Sequence, residues 1–193
     1  RGERFDGADF VDEAERRGAA GAVVSEASTP PSTGLPLFSV ANTTEALGDL
    51  ARFHRRRARA RVVGVTGSSG KTTVKEMVRL VLGEDVVASR ASYNNEIGVP
   101  LTLLDMDDRT RACVVEIGTN APGEVAYLTG IARPDLGVLT NVEPAHLERL
   151  GTVRGVMEEK AALLQGLPPD GVAIVNADNY YCREVMDKVG CHL

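Results

Sequence analysis

An α/β fold is predicted: a P-loop-containing, mostly parallel sheet with helices on both faces, preceded by the end of a small α/β unit. Two observations predict it. From Arg61 onward, short apolar runs alternate with amphipathic stretches, and the first run leads into a glycine-rich turn followed by a helical pattern from Lys71. Runs that are apolar throughout suit strands covered on both faces, and repeated strand–helix units dictate parallel pairing through crossover helices.

The elements follow in order. Residues 1–42 have a texture of their own. Phe10, Val11 and Ala14 mark a helical face that ends at Gly18, and residues 21–25 and 37–40 read as short strands on either side of a Pro- and Ser-rich loop. A linking helix is expected over 43–60. Asn42 with Glu45 three residues on forms a cap pair, and Leu47, Leu50, Ala51 and His54 recur at helical spacing, which makes His54 a packed or surface histidine rather than a ligand. Residues 61–193 form the larger unit. Its strand candidates are 62–66, 112–117, 136–140 and 172–175, and helices are expected over about 122–132, 152–165 and 178–188. Val74, Met77, Val78, Val81 and Leu82 make a helical stripe behind the glycine-rich turn.

Composition narrows the function. A net charge of −5 leaves no basic field for nucleic acid. The local cluster Arg55, Arg56, Arg57, Arg59 and Arg61 sits at a helix end, where cations favour the dipole, and is expected to be solvated. No apolar run approaches the roughly 18 residues that span a bilayer, so no membrane insertion is expected. Three cysteines, none spaced like metal ligands, fit a reducing cytoplasmic setting, with Cys113 buried as a small hydrophobe.

The sharpest motif is GVTGSSGKTT over residues 64–73. A strand, a glycine-rich turn and a helix beginning at a lysine aim backbone N–H groups and a helix N-terminus at a phosphate. Thr66, Gly67, Ser68, Ser69, Gly70, Lys71, Thr72 and Thr73 are the expected nucleotide-binding residues. Lys71 is placed to reach the β- and γ-phosphates and the Thr72 hydroxyl to hold Mg²⁺. The common pattern G-x-x-x-x-G-K-[ST] puts glycine at position 65, where this chain has Val65; Gly64 comes one place early. Such a loop serves NTPases, kinases and ligases alike, so it does not by itself name a reaction.

Four further segments carry a resemblance: YNNEIGVPLTLL over 93–104, VEIGTNAPGE over 115–124, TNVEPAHLE over 140–148, and NAD over 176–178 after an apolar run. With the TGSSGKTT loop and in this order, they resemble the Mur ligases. The stretch GSSGKTTVKEM over 67–77, and an opening segment over 1–10 similar to the end of a UDP-sugar-binding domain, favour the F-type members. The resemblance implies a central ATP-binding domain over 61–193 behind the C-terminal part of a UDP-sugar-binding domain. It also implies an ADP-forming ligase that uses ATP and Mg²⁺. Such an enzyme phosphorylates the carboxylate of UDP-N-acetylmuramoyl-tripeptide and joins it to the amine of D-alanyl-D-alanine, in peptidoglycan precursor synthesis. A cytoplasmic monomer is expected.

Residue by residue, the resemblance assigns Glu116 and His146 with Thr72 to metal binding. Glu116 ends a buried strand and so points at the ligand crevice. It places Asn94 and Asn95 near the γ-phosphate and acyl group. It makes Lys71, Asn95, His146 and Lys160 the catalytic set, with Lys160 at the position where some Mur ligases carry a carbamylated lysine. Read without the family, Asn94 and Asn95 also suit an ordinary turn, and Lys160 a surface. The family's H-N-x-x-N segment and its C-terminal domain are not found in the sequence, and Ala121 stands where many F-type members have histidine. The expectation is therefore a fragment that does not turn over alone. Another Mur-type ligase (E-type, folylpolyglutamate-like or cyanophycin-type) and a non-catalytic nucleotide-binding module are the alternatives.

Overall fold

The computed structural model describes residues 6–29 and 31–193; half of the opening segment singled out above, residues 1–5, lies outside them. The chain divides into two units, Arg1–Leu47 and Gly48–Leu193.

In the first unit a 3-10 turn, Gly7–Phe10, runs into helix α1 (Val11–Arg16), followed by strands β1 (Ala22–Ser25) and β2 (Leu37–Val40). The two strands pair in parallel, from Ala22 opposite Leu37 to Ser25 opposite Val40. Ala8, Val11 and Val24 make a small core. Phe10, expected on the inner face of the helix, is half exposed; it closes the 3-10 turn, and Val11 takes the inward position. Helix α2 (Thr43–Arg57) starts with the expected cap. The Asn42 Oδ1 accepts from the Thr44 amide at 2.9 Å, and its Nδ2 donates to the Glu45 carboxylate at 2.9 Å.

The second unit continues with β3 (Arg61–Thr66), α3 (Lys71–Leu82), β4 (Val86–Ala88), α4 (Gly98–Leu104), β5 (Ala112–Glu116), α5 (Glu124–Ala132), β6 (Leu136–Leu139), α6 (Leu147–Leu150), α7 (Val153–Gln165), β7 (Val172–Val175) and α8 (Tyr180–Met186). Among the described residues the sheet runs β4-β5-β3-β6-β7, with every pairing parallel. All four expected strands are present. The additional β4 is a three-residue edge strand, half-buried throughout and too short to stand out as an apolar run. Because β3 lies between β5 and β6, the turns that follow these three strands emerge side by side along one edge of the sheet. That carboxyl edge is where open α/β sheets bind ligands.

Burial on both faces explains the continuous apolar strands. In β5, Cys113 and Val115 join a large cluster with Val62, Leu128 and Leu163, while Val114 turns to the opposite face with Val63, Val65 and Val138. Burial pushes the Cys113 thiol up to about 12, so it packs as a hydrophobe, as expected. Gly64 and Gly137 have packing roles: a Cβ would stand 2.8 Å from Leu163 Cδ1 at the first and 2.8 Å from Leu164 Cδ2 at the second. Bare backbone at these two points lets α7 lie against the sheet. Gly64 is thus a helix-seating glycine rather than a displaced member of the phosphate loop.

Two expectations are corrected. On α3, Val74 and Val78 pack inward, but Met77, Val81 and Leu82 are exposed, and the fully buried residue is Lys75. The valine cluster beneath this helix is small and covers only a narrow strip of it. Nor is the arginine cluster uniformly solvated. Arg56, Arg57, Arg59 and Arg61 are exposed, but the Arg55 side chain is 11% exposed. Its guanidinium donates to Ala132 O at 2.9 Å, to Arg133 O at 3.0 Å and to Asp135 Oδ2 at 3.0 Å. Asp135 Oδ2 also accepts from the Val62 amide at 2.8 Å. The side chain satisfies carbonyls orphaned at the end of α5 and joins helix end to strand start. His54 is a packed histidine, with Nε2 3.0 Å from Met106 O.

Substituting Arg55→Met strands those carbonyls and leaves Asp135 only the Val62 amide and the exposed Arg61 as partners, and lowers unfolding free energy by about 2 kcal/mol; the exposed control Arg59→Ala shifts it by less than about 0.5 kcal/mol, both read from urea melts.

Candidate functional site

The glycine-rich turn between β3 and α3 is held in shape by its neighbours. The Thr66 hydroxyl, fully buried, donates to Ile117 O at 2.9 Å and locks the end of β3 to the end of β5. At Gly67 a Cβ would overlap the Thr140 hydroxyl, and Gly70 has φ +79°, so glycine is required at both by close approach and by a left-handed backbone. Lys71 Nζ donates back across the turn to Gly67 O at 2.9 Å. Helix α3 has no side-chain cap, which leaves the amides of its first turn, including Lys71, Thr72 and the exposed Thr73, without helical partners. Uncapped amides, a helix dipole and a lysine on one turn suit an anion.

Residues after β6 clasp the same turn. The Asn141 Oδ1 accepts from the Ser69 amide at 2.9 Å, and its Nδ2 donates to Ser69 Oγ at 2.6 Å. The Ser68 amide donates to Asn141 O at 3.1 Å, and Ser68 Oγ accepts from the Glu143 amide at 2.9 Å. Thr140 Oγ1 donates to Ser69 O at 2.6 Å. The hydroxyls of Thr66, Ser68 and Ser69 are thereby engaged by the protein itself.

Glu116 ends β5 with its carboxylate 2% exposed. Thr72 Oγ1 donates to one oxygen at 2.7 Å, and Asn94 Nδ2 donates to the other at 2.9 Å. Asn94 also accepts from the Gly118 amide through its carbonyl, and its side chain lies where a Cβ on Gly118 would be. The nucleotide turn, the end of β5 and the asparagine segment are therefore brought together at one carboxylate.

Helix α7 contributes the adjacent pair Glu159 and Lys160, both buried. The Glu159 carboxylate accepts from the Gly123 amide at 2.7 Å and the Val125 amide at 2.8 Å, capping α5 across a tertiary contact. Lys160 is 3% exposed. Burial first, and then the charge on Lys71, lower its amine to about 8, while Glu159 pulls the other way. Residue 160 is thus an interior lysine within the field of Lys71, not a surface one.

Residues 65–192 match the Mur ligase middle domain. The chain belongs to the Mur ligase family. It is 40% identical to a UDP-N-acetylmuramoyl-tripeptide--D-alanyl-D-alanine ligase of Haemophilus influenzae, over 100% of this chain and 43% of that protein. It is 42% identical to the ligase of the same name from Escherichia coli, over 93% of this chain and 39% of that one. A crystal structure of a MurF ligase from Thermotoga maritima in complex with ADP superposes with a TM-score of 0.86 at 36% identity, covering 100% of this chain and 45% of that one. The chain spans less than half the length of these relatives.

Within this Mur ligase site the remaining sequence candidates stand apart from the Glu116 network. Asn95 Oδ1 accepts from the Gly98 amide at 2.9 Å and the Ile97 amide at 3.2 Å, so its oxygen closes the turn into α4. His146 is exposed, with φ +51°, and its side chain makes no hydrogen bond among the described residues. Glu116 is a buried carboxylate with no ion-pair partner among the described residues, and the Thr72 hydroxyl lies against it. That hard-oxygen pair fits Mg²⁺, which takes one or two protein oxygens and completes its shell with phosphate and water. No group of three or more His, Cys, Asp or Glu that could hold a metal ion occurs among the described residues. Asn141, Glu159 and Lys75 were not anticipated. Asn141 stood inside the quoted TNVEPAHLE motif without a task, and nothing in sequence spacing distinguishes Glu159 or Lys75 from surface charges.

The Lys160 amine sets a pH dependence. Below about pH 8 it is charged in folded and unfolded chains alike, and the cost of burying that charge is fully present. Between about 8 and 10.5 the folded amine is neutral while the unfolded chain still binds the proton, so stability rises with pH in that window. Relative to Lys160→Met, the unsubstituted protein gains on the order of 2 kcal/mol between pH 7 and pH 10 in urea melts.

Proposed function

We propose that this chain is the end of the UDP-sugar-binding unit (1–42), the linking helix (43–60) and the ATP-binding unit (61–193) of an F-type Mur ligase. In this reading the whole enzyme is cytoplasmic and joins UDP-N-acetylmuramoyl-tripeptide to D-alanyl-D-alanine, converting ATP to ADP and phosphate. The observation that carries it is the meeting of Thr72, Glu116 and Asn94 beside a phosphate loop, in a chain about 40% identical to ligases of that name. No helix among the described residues is long and apolar enough to cross a membrane.

The chemistry follows from charge. A substrate carboxylate oxygen attacks the γ-phosphorus of ATP, ADP leaves, and the dipeptide amine then attacks the acyl carbon and expels phosphate. Phosphoryl transfer needs alignment and charge neutralisation more than covalent help. The first-turn amides of α3 and Lys71 hold the phosphates. Thr72 and Glu116 hold Mg²⁺, with His146 assigned to a second ion. Bound there, Mg²⁺ neutralises charge on the β- and γ-phosphates. Lys160, whose amine burial lowers to about 8 but leaves charged at neutral pH, and Lys71 together offer positive charge to the acidic groups that meet at the crevice. Asn94 and Asn95 orient the acyl side, with Asn94 fixed through Glu116.

The test is phosphate release by a protein of the relatives' full length that carries this chain, supplied with Mg-ATP, UDP-N-acetylmuramoyl-tripeptide and D-alanyl-D-alanine, each omitted in turn. Release is expected to need all three and to fall at least about 100-fold in Lys71→Ala. Release that needs a single amino acid in place of the dipeptide reassigns the chain to another Mur-type ligase, and nucleotide binding without release to a non-catalytic module.

A further inference from the structure

Lys75 is the one fully buried side chain of α3, at 0% exposure. It lies one helical turn beyond Lys71, on the helix that begins at the phosphate loop. Its neighbours on the inward strip, Val74 and Val78, show that an apolar residue suits this surface. A lysine there is costly to bury and must be satisfied by its contacts. Its Nζ donates to Ser89 O at 2.7 Å, reaches Ala91 O at 3.5 Å, and pairs with the half-exposed Glu76 carboxylate at 3.0 Å.

The two carbonyls mark where the chain leaves β4 and starts toward Asn94. Ala91 has φ +44°, a left-handed turn in a residue other than glycine, which persists only where the surroundings hold it. The other ties on this segment lead to α4 and its end, through Thr102, Arg90 with Asp105, and Asn95, and to β5 and the residues just after it. Ser89 Oγ accepts from the Glu116 amide at 3.0 Å, Asn94 Nδ2 donates to the Glu116 carboxylate, and Asn94 O accepts from the Gly118 amide. Among the described residues, the hydrogen bonds from α3 to the 89–95 segment come from Lys75 alone.

We propose that Lys75 is a positioning residue that fixes the asparagine segment against the nucleotide helix, so that Asn94 and the phosphate loop keep one relative geometry. It touches neither the nucleotide nor the reacting carboxylate and acts through the backbone of Ser89 and Ala91. The inference rests on the ligase reading above, because the geometry it maintains is that between the γ-phosphate and the acyl side. Loss of the strut lets the asparagine segment drift while the nucleotide loop, held separately by Thr66, Thr140 and Asn141, keeps its shape.

The test compares the full-length enzyme with Lys75→Met, of similar length but no donor, and Lys75→Gln, which keeps an N–H for Ser89 O. Turnover, KM for ATP and KM for the carboxylate substrate are measured at a temperature where circular dichroism shows each variant folded. Lys75→Met is expected to lower kcat roughly 10- to 100-fold, the scale of a misplacement of about 1 Å, while KM for ATP moves less than about threefold. Lys75→Gln is expected to recover part of the loss, and it alone decides the matter if the methionine variant does not fold: a kcat below that of the parent with KM for ATP preserved then supports the strut. A kcat within about threefold of the parent in every folded variant, or a loss of ATP affinity in step with kcat, overturns the proposal. Failure of the unsubstituted enzyme to need all three substrates overturns the ligase reading instead, so the two failures are distinguishable.

Discussion

A buried carboxylate without an ion-pair partner among the described residues organises the crevice. Glu116 sits at the end of the central strand pair β3–β5, and its two oxygens are held by a hydroxyl from the nucleotide helix and an amide from the asparagine segment. Charge in an interior is costly unless it is matched by hydrogen bonds or by a cation. Two neutral donors orient the group, and its charge remains available to a cation brought in with nucleotide phosphates. The stability of the apolar sheet beneath it therefore has a functional use. It supplies a rigid base from which one carboxylate can be shared by three segments distant in sequence.

The second organising feature is that stability and function are separated across the sheet. At the amino edge, Arg55 and Asp135 tie helix end to strand start, at the opposite end of β3 from the phosphate loop. At the carboxyl edge, polar side chains bind one another around the phosphate loop, and on α7 Glu159 caps α5 while the buried Lys160 lies within the field of Lys71. Buried polar networks of this kind specify one geometry only when every member is satisfied. Here nearly all are: the Thr129 hydroxyl is the one buried side-chain polar atom without a partner among the described residues.

The fold was legible where burial is two-sided. Continuous apolar runs identified β3, β5, β6 and β7 to within a residue or two, because strands covered on both faces carry apolar residues at every position. The edge strand β4, half-buried along its length, offered no such run. The phosphate loop was legible because its chemistry is local: glycine, lysine and threonine at fixed spacing at the start of a helix. The tertiary side of the site was less so. Asn141, Glu159 and Lys75 act across 14 or more residues of sequence, on partners that are backbone groups and leave no compositional trace. Periodicity even misled at α3, where the apolar stripe faces outward in part and a lysine faces in. Gly64, one place early for the common loop pattern, had no task in the sequence; its neighbours give it that of seating Leu163.

The most direct test of Glu116 as the shared carboxylate is nucleotide binding with and without Mg²⁺, by calorimetry on the protein and on Glu116→Gln. The substitution keeps the shape of the side chain and removes its charge. In the unsubstituted protein Mg²⁺ is expected to strengthen ATP binding, and in Glu116→Gln that strengthening is expected to disappear while metal-free binding is preserved. An equal effect of Mg²⁺ on both proteins contradicts the account.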